Sequence, residues 1–192
     1  LATAAGVIKR VRPGDEPGRG DSWEVIALAD GDRVVFAGTA ADSDILVLVT
    51  SDAQLLRFEA SKVRPQGRGA GGMAGISLRQ GARVIAASAV PAELLAESVV
   101  VTIADAEKAL PGTGTGSVKV TPLDRYPAKG RATGGVRAQR FLRGEDELIL
   151  AWVGVGPARA VGPGGQSVGL PEVDERRDGS GSPLAAPVAG IG

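Results

Sequence analysis

The sequence contains no cysteine and no histidine, and these two absences exclude several classes of function. Without cysteine the chain has neither a disulfide framework nor a thiolate metal site. Without histidine, Ser-His-Asp and Cys-His catalysis and the usual zinc sites are excluded. No apolar run approaches the ~18 residues needed to cross a bilayer as a helix. We therefore expect no catalytic residues, no cofactor or metal site and no membrane contact in this chain.

Aromatic residues are scarce at 3%, although hydrophobic residues make up 43% of the 192 residues. The core is therefore expected to consist of Val, Ile, Leu and Ala. The chain has 29 glycines and 12 prolines, which favour many turns over long helices. It begins with Leu1 rather than Met, so we interpret it as a piece of a longer protein.

The chain has equal numbers of basic and acidic residues, 22 of each, but the two signs are concentrated in different segments. Residues 57–90 contain six basic residues and one acid, and residues 119–143 contain seven basic residues and one acid. The acids collect elsewhere, including residues 172–178. Segregated charge in a neutral chain predicts a basic face for a polyanion.

A repeat runs along the chain. Residues 28–38 align with residues 78–88 at an offset of 50, and residues 141–151 form a third copy with one inserted residue. Each copy predicts short strands rich in Val and Ile, separated by Gly/Asp turns. Four strands in about 50 residues are typical of a propeller blade.

The pattern divides the chain into five segments. We predict blade 1 at residues 1–41, blade 2 at 42–91, blade 3 at 98–155, a partial blade or hairpin at 156–173, and a disordered tail at 174–192. The third strands of the first three copies are predicted at Trp23–Leu28, Gly72–Leu78 and Gly135–Leu142. The other strands of the second copy are predicted at Asp44–Thr50, Gln54–Glu59 and Arg83–Val90, and those of the third at Ser98–Ala104, Ser117–Thr121 and Glu147–Gly154. The fold class is thus all-β, a repeat of four-stranded blades.

Two glycine-rich segments carry cations at matching positions of the repeat. They are Arg64-Pro-Gln-Gly-Arg-Gly-Ala-Gly-Gly-Met73 and Tyr126-Pro-Ala-Lys-Gly-Arg-Ala-Thr-Gly-Gly-Val136. Glycine lets the backbone approach a phosphate, and Lys and Arg supply charge and hydrogen bonds. A solvated turn that needs glycine for a positive φ explains one such loop equally well. Their repetition favours a phosphate-binding track.

These residues resemble a known family. Lys129–Arg137 followed by Arg140–Asp146 looks like the C-terminal domain of type IIA topoisomerase A subunits, and Gly67–Ile76 looks like its neighbouring blade. In that family the loop is the gyrase A-box, a Gln-Arg-Arg-Gly-Gly-Lys-Gly type sequence on a β-pinwheel, which is a propeller relative with strands exchanged between blades. The resemblance covers roughly residues 1–155.

The resemblance implies binding and bending of duplex DNA, without sequence preference, in support of strand passage by an ATP-dependent enzyme. It implies a cytoplasmic, nucleoid-associated heterotetramer with an ATPase (B) subunit, in which the holoenzyme binds ATP and Mg²⁺. The implied phosphate contacts are Arg68, Lys129 and Arg131, with Arg64, Arg137 and Arg140 as further candidates. Neither box is complete, which resembles topoisomerase IV more than gyrase. A protein-interaction propeller without nucleic-acid binding remains the alternative.

Other motifs favour simpler explanations. Arg125-Tyr126 resembles the Arg-Tyr pair that family members use to cleave DNA, but it lies just past a predicted strand, so we interpret the tyrosine as structural. Residues 67–72 fit a Gly-x-Gly-x-x-Gly fingerprint, but a strand follows instead of the required helix.

Overall fold

A computed structural model describes residues 1–12, 14, 22–106 and 116–192. Within these residues the regular elements are short antiparallel strands and three 3-10 helices. The strands are β1 (Ala2–Thr3), β2 (Val7–Ile8), β3 (Val34–Phe36), β4 (Ile45–Thr50), β5 (Gln54–Glu59), β6 (Met73–Ala74), β7 (Val84–Val90), β8 (Ser98–Asp105), β9 (Ser117–Pro122), β10 (Val136–Arg137), β11 (Glu147–Val155), β12 (Ala160–Val161), β13 (Ser167–Val168), β14 (Ser182–Pro183) and β15 (Gly190–Ile191). The 3-10 helices are η1 (Ala60–Lys62), η2 (Ala92–Glu97) and η3 (Leu123–Arg125). The all-β prediction is confirmed.

The strands form four sheets, which we call blades 1 to 4. Their strand orders are β3-β1-β2-β6, β10-β5-β4-β7, β11-β8-β9-β14 and β13-β12-β15. One edge strand of each of the first three blades is therefore supplied by the following repeat. This exchange corrects the contiguous blade boundaries at residues 1–41, 42–91 and 98–155, because β6, β10 and β14 each pair outside their own repeat.

Strand β4 shows why these segments become central strands. Its sequence, Ile-Leu-Val-Leu-Val-Thr, is buried at every position. Leu46 and Leu48 pack into a core with blade 1, whereas Ile45, Val47 and Val49 pack into a core that includes residues of blade 3. Side chains alternate between the two faces of a strand, so a continuous run of branched residues satisfies both neighbours.

The predicted tail at residues 174–192 is ordered in the structure, in contrast to our expectation. Strand β14 pairs with β9 and completes blade 3, and β15 pairs with β12 and completes the hairpin of blade 4. Leu184, Val188 and Ile191 pack against the core between these two blades. Pairing across repeats supplies the order that a Gly/Ser/Pro/Ala-rich segment does not encode locally.

The predicted strand at Trp23–Leu28 is absent from the ladders of the described residues. The repeat register aligns Trp23 with Met73 and Val136, which begin the exchanged strands β6 and β10. An exchanged strand pairs with the preceding blade, and the described residues contain no blade before blade 1 with which Trp23–Leu28 could pair. Trp23 is accordingly 38% exposed.

No helix among the described residues has the length and apolar character that crossing a membrane requires.

Candidate nucleic-acid interface

Three loops precede the exchanged strands, and we name them loop 2 (residues 64–72), loop 3 (residues 126–135) and loop 4 (residues 172–181). In each loop, a backbone amide donates a hydrogen bond to the blade that the loop joins. The accepting carbonyl lies in the second strand of that blade or just beyond it. The amides of Gln66, Lys129 and Asp174 donate to the carbonyls of Arg10, Arg57 and Val120 at 2.9, 3.0 and 2.8 Å. Each loop then turns at residues 68–69, 131–132 or 177–178. The sequence repeat is thus a repeat of loop geometry.

Glycine is required where loops 2 and 3 enter the exchanged strand. A Cβ on Gly72 would lie 2.8 Å from the Ile8 carbonyl oxygen, and one on Gly135 would lie 2.5 Å from that of Leu55. Both glycines also have positive φ, +88° and +73°. The close approach of two backbones, rather than solvation of a turn, therefore explains the second glycine of each Gly-Gly pair.

Loops 3 and 4 each lie against the segment that follows the preceding loop. In loop 3, Arg131 Nη1 donates to the Ala74 carbonyl. In loop 4, Arg177 Nη1 donates to the Arg137 carbonyl at 3.3 Å, and the Arg140 amide donates to the Gly179 carbonyl at 3.0 Å. The three loops therefore form one continuous row along the outer edge of blades 1 to 3, which we call the loop row.

Four of the six predicted phosphate contacts lie in loops 2 and 3, and the other two, Arg137 and Arg140, lie just after loop 3. Five of the six are exposed: Arg64, Arg68, Lys129, Arg137 and Arg140. Arg131 is half-buried because its guanidinium clamps loop 3 to the Ala74 carbonyl, so only its remaining donors face outward. Arg131 thus has a structural contact that the sequence did not indicate.

Two buried lysines donate hydrogen bonds to backbone carbonyls of loops 2 and 4, and neither contact was predicted from the sequence. Lys9 Nζ donates to the Ala70 carbonyl of loop 2 at 2.8 Å, and Lys119 Nζ donates to the Arg177 carbonyl of loop 4 at 3.0 Å. Lys119 is only 2% exposed, and burial lowers its pKa to about 8. Lys119 therefore belongs to the scaffold, although the charge count placed it on the basic face.

Arg57 likewise points inward. Its Nε donates to the Tyr126 carbonyl at the start of loop 3, and burial lowers its pKa. The Tyr126 side chain is buried, its hydroxyl donates to the Ala138 carbonyl at 3.4 Å, and burial raises its pKa to about 12. A phenol buried to this extent is a packing group, which agrees with the structural role inferred from the sequence.

Loop 4 was missed as a member of the row. Its sequence, Glu172-Val-Asp-Glu-Arg-Arg-Asp-Gly-Ser-Gly181, keeps arginine at the turn and glycine before the exchanged strand. The available signal was this order of Arg, Gly and Gly, but the surrounding acids concealed it. Arg176 is paired with Asp174 through Nε at 3.1 Å, and this contact lowers the pKa of the Asp174 carboxyl.

The strand exchange and the repeated loops define a β-pinwheel repeat domain. The sequence matches the family model of the DNA gyrase C-terminal domain, a β-propeller, over residues 44–91 and 112–151. Together with the gyrase A relatives named next, this match shows that the chain belongs to the family of C-terminal domains of type IIA topoisomerase A subunits, as the resemblance predicted.

Curated relatives support this assignment. The A subunit of DNA gyrase from Deinococcus deserti is 35% identical over 140 residues, which is 71% of this chain and 16% of that protein. The A subunit of DNA gyrase from Streptomyces coelicolor is 32% identical over 164 residues, 80% of this chain and 17% of that protein. The chain thus spans about one sixth of the length of these relatives.

Solved structures share the fold. The C-terminal domain of DNA topoisomerase IV superposes with a TM-score of 0.81 at 19% identity, covering 100% of this chain and 59% of that one. The E. coli ParC C-terminal domain superposes with a TM-score of 0.74 at 16% identity, covering 100% of this chain and 78% of that one.

Proposed function

We propose that this chain binds duplex DNA without sequence preference through phosphate contacts on the loop row, and bends it along the row. The parent would be the A subunit of an ATP-dependent type IIA topoisomerase, in which the domain presents DNA for strand passage. ATP and Mg²⁺ would be bound by the holoenzyme, a cytoplasmic, nucleoid-associated heterotetramer with the ATPase subunit. The names of the curated relatives support this parent.

One observation carries the proposal. Loops 2 and 3 have the same backbone geometry, lie side by side and present Arg64, Arg68 and Lys129 to solvent without an acid in either loop. Loop 3 adds the unused donors of Arg131. Exposed cations on adjacent blades suit a duplex backbone, whose phosphates repeat without regard to base sequence.

The proposal is tested by titrating a fluorescent duplex of about 40 base pairs with the 192-residue chain at several salt concentrations. With ~6 phosphate contacts, affinity should fall roughly a thousandfold between 50 and 200 mM salt. Arg68→Ala combined with Lys129→Ala should reduce the slope of log K against log salt by about 1.8, because two contacts are lost. Duplexes of unrelated sequence should weaken alike.

The control removes the same charge outside the row. Arg143→Ala with Arg159→Ala, both exposed in the structure, should leave the slope within about half a contact of the parent. Equal slopes for the two double variants would show that the loop row is not the binding surface. The zero net charge of the chain is compatible with the alternative function, a protein-interaction propeller. That alternative predicts that the unsubstituted chain shows no salt-dependent binding of duplex DNA.

A further inference from the structure

Loop 4 has the backbone of loops 2 and 3 but the opposite charge. It makes the same type of amide contact to the second strand, and its turn arginine makes the same type of guanidinium-to-carbonyl contact as Arg131 in loop 3. Loops 2 and 3 carry two cations each and no acid, whereas loop 4 carries four acids and two arginines. The difference between the loops is therefore in side-chain charge and not in position.

The two arginines of loop 4 are engaged in contacts within the protein, although Arg176 remains exposed. Arg176 is held by the Asp174 carboxylate through Nε and Nη2 at 3.1 and 3.3 Å, and Arg177 donates to the Arg137 carbonyl. Glu175, which is exposed, pairs with Arg125. The four carboxylates of the loop thus outnumber its two arginines, and Glu172, Glu175 and Asp178 are exposed.

These carboxylates lie next to Arg137 and Arg140, the candidate phosphate contacts that follow loop 3. Asp178 is exposed and precedes Gly179, whose carbonyl accepts the Arg140 amide. A phosphate on Arg137 or Arg140 would approach the acids of loop 4 to within about a Debye length, roughly 8 Å at physiological ionic strength, where like charges still repel.

We propose that loop 4 is an acidic stop, which repels duplex phosphates, ends the bound path at loop 3 and weakens the contribution of Arg137 and Arg140. This inference rests on the DNA binding proposed above and specifies where along the loop row that binding ends.

The experiment removes negative charge from loop 4 and keeps side chains of the same size. The variant Asp174→Asn/Glu175→Gln/Asp178→Asn keeps hydrogen-bond acceptors at all three positions. We expect the salt slope to steepen by about 1.8, as Arg176 and Arg177 gain phosphate contacts. The length of duplex protected from hydroxyl radicals should increase beyond that of the parent. Affinity at about 150 mM salt should rise on the order of tenfold.

The matched control is Asp30→Asn/Glu93→Gln/Glu97→Gln, which removes three exposed carboxylates outside the loops. It raises net charge equally but should leave the protected length unchanged. Adding Arg176→Ala and Arg177→Ala to the neutralised loop should return the slope and the protected length to the parental values.

The outcomes separate the two proposals. A parent that binds duplex with a steep salt slope, together with a neutralised loop that behaves like its control, overturns the stop alone. A parent without salt-dependent binding overturns both. Circular dichroism and thermal melting check the fold. Should the triple variant unfold, Asp178→Asn alone decides the question, because this exposed carboxylate makes no described hydrogen bond, and a gain below about twofold contradicts the stop.

Discussion

Equivalent positions in the first and the later blades have the same place in the repeat but different neighbours. Val34 in blade 1 aligns with Val84 in blade 2 and Leu148 in blade 3, yet Val34 is 38% exposed while the other two are 0% exposed. Trp23 and Leu28 of the first repeat are similarly exposed. The adjacent blade therefore determines how much the side chain at a given repeat position stabilises the fold.

The largest expected effect concerns two glycines of positive φ. Gly135→Ala should destabilise the domain by about 3 kcal/mol, because the new Cβ meets the Leu55 carbonyl and the residue is left-handed. Gly69→Ala, whose Cβ would meet open space, should cost only about 1 kcal/mol. Urea denaturation measures both values. Equal costs would contradict the close approach of the exchanged strand in loop 3.

The next effect compares one substitution at two equivalent positions. Val84→Ala removes fully buried methyl groups from the core between blades 1 and 2, and should cost about 2 kcal/mol. Val34→Ala should cost about 0.5 kcal/mol or less, because this side chain is already partly in water. Denaturant midpoints with unchanged m-values provide the comparison. A costly Val34→Ala would mean that the first blade face is covered in solution.

The smallest effect follows from the buried lysine beneath loop 4. Burial lowers the pKa of Lys119 to about 8 in the folded chain, against about 10.4 for an exposed lysine, so the unfolded state binds more protons between these values. Stability should therefore rise on the order of 1 kcal/mol from about pH 8 to about pH 9.5. The raised pKa of Tyr126 has the opposite consequence, but only as pH rises through about 10 to 12.

Lys119→Met provides the control for this pH dependence. It keeps the aliphatic stem and loses the amine, so its stability should be flat over the same pH range. A rise of the same size in this variant would assign the titration to another group.

Most central elements could be predicted from the sequence. Strand β5 was predicted with its observed bounds, and β4, β7, β8, β9 and β11 within one residue at each end, because long runs of Val, Ile and Leu form a strong local signal. The two-residue strands β6 and β10 were predicted too long. Such short segments are defined by their pairing partner rather than by their own periodicity.

The candidate site was partly predictable for the same reason. Arg68 and Lys129 lie in exposed loops at matching positions of the repeat, so their surface position follows from the sequence pattern. The clamp by Arg131 and the buried amines of Lys9 and Lys119 depend on carbonyl groups from distant segments. No local pattern distinguishes these cations from exposed ones.

The repeat, the all-β class and the two cation-bearing glycine loops follow from the amino-acid sequence alone, since each arises from residues close together in the chain. Three features emerge only in the folded molecule: strands are exchanged between repeats, residues 174–192 complete two blades, and their loop joins the row with opposite charge. Backbone hydrogen bonds between strands of different repeats are non-local, so an edge strand becomes ordered when a neighbouring blade offers it a partner, whatever its own composition.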